Sequence, residues 1–164
     1  MGTVHGIKVT FIDTPAPGFL SSSTSTMRRN RKIMLSVKKF IRRSPPDVVL
    51  YIEWLDLINV GYRDFPLLKL MNEVFGNAIW FSTILVMTHS SSTLPEGLNR
   101  YPVNYEPYVK HCTALMQQYI HQTVFDLTLE NPLFLVENDP RCKRNFTGKV
   151  YFQMDRSGNP SSCY

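Results

Sequence analysis

Four short apolar runs in these 164 residues each end in polar residues, and three of those ends carry groups that could do chemistry. Gly6–Ile12 (GIKVTFI) ends at Asp13-Thr14-Pro15, residues 48–55 (VVLYIEWL) at Asp56, Thr83–Met87 (TILVM) at Thr88-His89, and Leu133–Val136 (LFLV) at Glu137-Asn138. A carboxylate such as Asp13 can orient a water on Mg²⁺, or it can simply cap a turn. His89 can stack on or hydrogen-bond a purine base, or be satisfied by the loop Ser90–Thr93. Glu137 and Asn138 can accept from and donate to a guanine edge, because a carboxylate matches a ring N–H beside an exocyclic amine. Standing before Asp139-Pro140, the same pair can equally be a turn. None of these signals is specific singly; their joint order is.

The elements that must position these groups follow from the pattern of the chain. The first apolar run is nearly continuous, which suits a strand of a parallel sheet buried on both faces, and the other three read as strands as well. Between the first two lies a Pro/Gly/Ser/Thr-rich loop, Pro15–Thr26, and then a helix from about Met27 to Arg43 that Ser44-Pro45-Pro46 stops. Ile33, Val37, Phe40 and Ile41 share one face of that helix. Pro66 can sit in the first turn of a second helix, which runs to Phe75 and closes at Gly76. Asn104 can cap a third, Tyr105 to about Val124, with Tyr108, Cys112, Leu115, Met116, Tyr119 and Thr123 spaced for one buried face. Strands alternating with helices predict an α/β fold with a parallel sheet and right-handed crossovers, whose ligand lies beyond the carboxyl ends of the strands. After Cys142 no clear pattern remains.

Composition narrows the function classes. Three distant cysteines with no CxxC, and four histidines without zinc spacing, exclude a disulfide scaffold or zinc module. No apolar run approaches the roughly 18 residues that would cross a bilayer, and the first residues lack a signal-peptide pattern. The net charge of +5 is unevenly placed: eight basic residues and no acid lie between Met27 and Arg43, leaving 10 basic against 13 acidic residues elsewhere. A solvated basic face is the ordinary reading, and an anionic membrane surface the functional one. Aromatic residues do not interleave with these cations, so no nucleic-acid partner is expected.

Taken together, DTPAPGF after VTFI, SPPDVVLYIEWLD, FGNAIWFSTILVMTHSSS and NPLFLVENDPRCKRN resemble the GTPase domain of the chloroplast outer-envelope protein-import receptors, the Toc family with its AIG1-type G domain, most closely the large-receptor branch. The resemblance runs from about Val4 to Asn145. It implies that Asp13 serves Mg²⁺ through water, that Thr14, Pro15 and Gly18 form the segment facing the γ-phosphate, that His89 contacts guanine, and that Glu137 and Asn138 complete base recognition. It further implies GTP/GDP and Mg²⁺ as ligands, and dimerisation with the same or another Toc GTPase. Precursor transit peptides would be partners, at the cytosolic face of the plastid outer membrane. With no transmembrane segment in these residues, the unpartnered chain is expected in the cytosol.

The sequence also departs from that family. No GxxxxGK[ST] stretch occurs, Ala16-Pro17 stands before Gly18 where the family reads DTPG, and Asp139 replaces a His after Glu-Asn. Pro17 has no N–H to offer a phosphate. The family's P-loop lies ahead of the position where these residues begin. The expectation is therefore a partial P-loop GTPase-like parallel sheet with flanking helices over residues 1–145, lacking the P-loop strand and helix, and an irregular divergent tail at 146–164. Its function would be that of a truncated GTP-binding import-receptor domain, defective in phosphate binding and hydrolysis. A non-catalytic dimerisation or precursor-interaction module is the alternative.

Overall fold

The computed structural model describes residues 2–14, 24–58, 65–90, 105–137, 143–144, 150–152 and 161–162. The chain divides into two units, Met1–Pro45 and Pro46–Tyr164.

In the first unit, β1 (Gly2–Val4) and β2 (Ile7–Val9) pair antiparallel, with Val4 opposite Ile7. The two residues between them, His5 and Gly6, have φ of 47° and 81°. A two-residue loop with both residues in the left-handed region matches the twist of a hairpin. This corrects the expectation of a buried parallel strand over Gly6–Ile12. The run turns back on its own N-terminal neighbour, and Ile7 and Phe11 stand 69% and 76% exposed. The 18-residue helix α1 (Thr24–Ile41) follows, starting three residues earlier than the sequence suggests; it buries Asn30 and Met34 and exposes most of its Lys and Arg side chains.

The second unit holds a parallel sheet in the order β3 (Val49–Trp54), β4 (Thr83–Thr88), β5 (Leu133–Leu135). Tyr51 stands opposite Leu85, and Val86 opposite Phe134. A short helix α2 (Leu55–Ile58) continues from β3, and α3 (Phe65–Phe75) and a 3₁₀ segment (Asn77–Ser82) lead into β4. Gly76, at φ 86° and ψ 172°, closes α3 with its N–H on the Asn72 carbonyl at 2.8 Å, a positive-φ conformation that glycine adopts without a Cβ clash. The long helix α4 (Tyr105–Val124) joins β4 to β5 and occupies the predicted residues. It buries Tyr108, Cys112, Met116, Ile120 and Thr123; Leu115 and Tyr119 are half-buried against the same core. Asn104, expected to cap it, lies outside the described residues.

The core is one-sided. Tyr51, Leu85 and Met87 point from the sheet toward Leu55, Ile58, Leu68, Trp80 and the buried face of α4. Strand period 2 sends Leu50, Ile52 and Trp54 to the other face, where they and Phe134 are 44–60% exposed. Asparagines tie the amino end of the sheet together. Asn131 Nδ2 donates to the carbonyls of Trp80 (2.7 Å) and Thr83 (3.0 Å), Trp80 Nε1 donates to Asn72 Oδ1 (3.0 Å), and Asn72 Nδ2 to the Thr123 carbonyl (3.2 Å). In the C-terminal region, where the sequence has no clear pattern, β6 (Lys143–Arg144), β7 (Val150–Phe152) and β8 (Ser161–Ser162) pair antiparallel as a separate small sheet.

Candidate base-binding site

The parallel register brings the polar groups at the strand ends together. Trp54, the last residue of β3, is the partner of Thr88, the last of β4. Between β4 and β5 the ladder continues past the strand, since Val136 N–H donates to the Met87 carbonyl at 2.8 Å. His89 follows β4 directly and Glu137 lies two residues past β5, so both stand at the carboxyl ends of neighbouring strands.

His89 is held in a defined pose. Thr88 Oγ1 donates to the Glu53 carbonyl at 3.1 Å, and His89 Nδ1 lies 3.1 Å from Thr88 Oγ1. A carbonyl only accepts, so the Thr88 hydroxyl hydrogen is committed to Glu53. His89 must then donate from Nδ1, which leaves Nε2 of the neutral ring as an acceptor in solvent. The indole of Trp54 packs on the imidazole with centroids 4.3 Å apart and planes at 39°. His89 has φ 56°, a conformation uncommon for a residue with a Cβ, and remains exposed while Ser90 after it is buried. Backbone strain at a strand end, with an aromatic pair and a free acceptor, is the kind of local cost that functional positions carry. Glu53 is buried, 7% exposed, and its Oε1 accepts from Trp54 N–H at 3.0 Å.

A planar ring packed against Trp54 and His89 would find a π surface and the Nε2 acceptor, which suits a base carrying an N–H donor. Thr88 is named from the sequence together with His89. Trp54 is not: it closes a strand, but which strand end it meets is decided by the pairing of β3 with β4.

Asp13 and Thr14 are exposed and belong to the first unit, just past β2. Pro15, Gly18 and Asn138 lie outside the described residues. Among the described residues no three His, Cys, Asp or Glu side chains gather as a metal site. Mg²⁺ is commonly held by one or two carboxylates together with waters and phosphates. Asp13 alone thus fits an outer, water-mediated role and does not make a metal site; no hydrolytic step is derived through the ion.

The AIG1 family pattern matches residues 1–130. The chain belongs to the AIG1 family. Within it, the chain is 57% identical over 149 residues to translocase of chloroplast 90 of Arabidopsis thaliana, covering 91% of this chain but 18% of that protein. It therefore spans less than a fifth of that relative. Its fold is that of Toc33 from the same plant. A dimerisation-deficient Toc33 variant superposes with a TM-score of 0.72 at 23% identity, covering 92% of this chain and 59% of that one. Toc33 in complex with Mg²⁺ and GMPPNP gives 0.69 at 22%, covering 90% and 59%. At that identity the likeness establishes the AIG1-type α/β fold alone. No helix among the described residues is long and apolar enough to cross a membrane.

Proposed function

We propose that this chain carries the guanine-recognising part of a GTP- and GDP-binding domain of a chloroplast protein-import receptor. The observation that carries the reading is the fixed His89 at the carboxyl end of β4, pinned through Thr88 to Glu53 and packed against Trp54. In this reading Nε2 of His89 and the carboxylate of Glu137 accept from the base, and Asn138 donates to it. Asp13 steadies a nucleotide-bound Mg²⁺ through water, and Thr14, Pro15 and Gly18 face the γ-phosphate. The chain partners another GTPase domain of its kind and receives precursor transit peptides at the cytosolic face of the plastid outer membrane. We assign this role to residues 1–145 and treat 146–164 as a divergent tail.

The test is a thermal melt of the purified chain with guanosine, GDP and adenosine. Ligand at about 100 times its dissociation constant adds roughly 2.7 kcal/mol to the native state. Because no GxxxxGK[ST] cradle is present in these residues, guanosine and GDP are expected to shift the melt equally, adenosine not at all, and His89→Ala to abolish the shift. Equal shifts with adenosine would sink the reading.

The apolar sheet face of Leu50, Ile52, Trp54 and Phe134 favours the second reading, a non-catalytic dimerisation or precursor-interaction module. It predicts a cooperative melt indifferent to every nucleotide, with dimerisation unaffected by GTP or GDP.

A further inference from the structure

The exposed side of α1 is chemically unlike the rest of the chain. An α-helix turns 3.6 residues per turn, so Arg28, Lys32, Leu35, Lys39 and Arg42, at i, i+4, i+7, i+11 and i+14, fall in one row. That row lies opposite the buried Asn30 and Met34. Arg42 N–H still bonds the Lys38 carbonyl at 3.1 Å, so the helical turn carries it into the row. All five side chains are exposed. Arg29 and Arg43 lie to one side of the row and are exposed as well. No carboxylate occurs from Met27 to Arg43 to neutralise these cations within the helix. One apolar side chain interrupts the positive face: Leu35, 48% exposed at the centre of the row.

We infer that this face of α1 docks the chain flat on an anionic phospholipid bilayer. Lysines and arginines close to such a surface each strengthen binding roughly fivefold, and helices that lie in the interface add apolar side chains reaching the acyl boundary. Leu35, at the centre of the row, is placed for that. A helix of this length is about 27 Å of straight contact, suited to a plane. Nucleic acid fits less well, since an apolar Leu35 at the centre of the row would be set against phosphates, and no aromatic lies in the row to stack on bases. The inference stands on α1 alone and does not depend on nucleotide binding at the strand ends.

The test is co-sedimentation of the full chain, without nucleotide, with vesicles of phosphatidylcholine alone and of phosphatidylcholine mixed with phosphatidylglycerol. Binding to the mixed vesicles only, weakened but retained at about 0.15 M salt, is the expected result. The variant Arg28→Glu/Lys32→Glu/Lys39→Glu/Arg42→Glu should lower the partition coefficient by roughly two orders of magnitude or more. Leu35→Ser should bind at low salt and partition several-fold less than the parent at physiological salt. Every substituted side chain is exposed, and an unchanged melting temperature verifies that each variant folds. No binding to the mixed vesicles, equal binding to phosphatidylcholine, indifference to Leu35→Ser, or preference for an oligonucleotide or polyglutamate over vesicles would each overturn the inference.

Discussion

His89 joins two demands at one residue. Its ring needs the Thr88 hydroxyl and the Trp54 face, and its backbone needs a left-handed φ of 56°. A β-branched residue is poorly suited to that conformation, whereas glycine adopts it freely. In urea denaturation His89→Val is expected to be less stable than His89→Gly by about 1–2 kcal/mol, although neither side chain can serve a base. Asp126 gives a pH-dependent counterpart. Thr128 donates to its Oδ1 twice, from Oγ1 at 2.7 Å and from the backbone N–H at 2.8 Å. These bonds, the hydroxyl one first, hold the carboxyl below its ordinary range. The folded chain thus prefers the charged form. The stabilisation is complete above the unfolded carboxyl's value of about 3.9 and is lost as pH falls through the lower folded value. Thr128→Val should move the Asp126 midpoint upward in an NMR titration; an unmoved midpoint would show that the hydroxyl bond is not the cause.

At the scale of elements, legibility followed burial. The helix Tyr105–Val124 and the strands at Val49–Trp54 and Thr83–Thr88 match the sequence reading closely, because each alternates or repeats its apolar residues against one shared core. The first apolar run misled because its period said strand but could not say which partner. The His5-Gly6 turn chose the hairpin. The 3₁₀ segment at Asn77–Ser82 was missed, since it rests on Trp80 burial and distant asparagine bonds that no local pattern encodes. Two substitutions test this scale. Asn131→Ala removes the donor to two carbonyls and is expected to cost about 2 kcal/mol. Phe125 closes α4 at φ 58° while 92% exposed. Phe125→Gly loses little burial and relieves the left-handed strain, so it should raise stability by about 0.5–1 kcal/mol in the same denaturation assay.

At the scale of the whole molecule, part of the candidate site was legible. Thr88-His89 and Glu137 were singled out because polar residues after apolar runs mark strand ends. Trp54 reaches Thr88 and His89 only through the register between β3 and β4, a pairing that one sequence does not display. The same register lines up Ile52, Val86 and Phe134 across the three strands. It leaves an apolar surface on the side of the sheet away from α3 and α4. Exposed apolar faces of this kind drive association. Light scattering of the purified chain should therefore rise with concentration, and Ile52→Thr/Phe134→Thr should suppress that rise while leaving the melting temperature nearly unchanged. In a cell, that surface has a further meaning. A chain that displays the inside of a sheet looks to chaperones and proteases like one still folding. Its abundance is then set less by how fast it is made than by how quickly that face is covered.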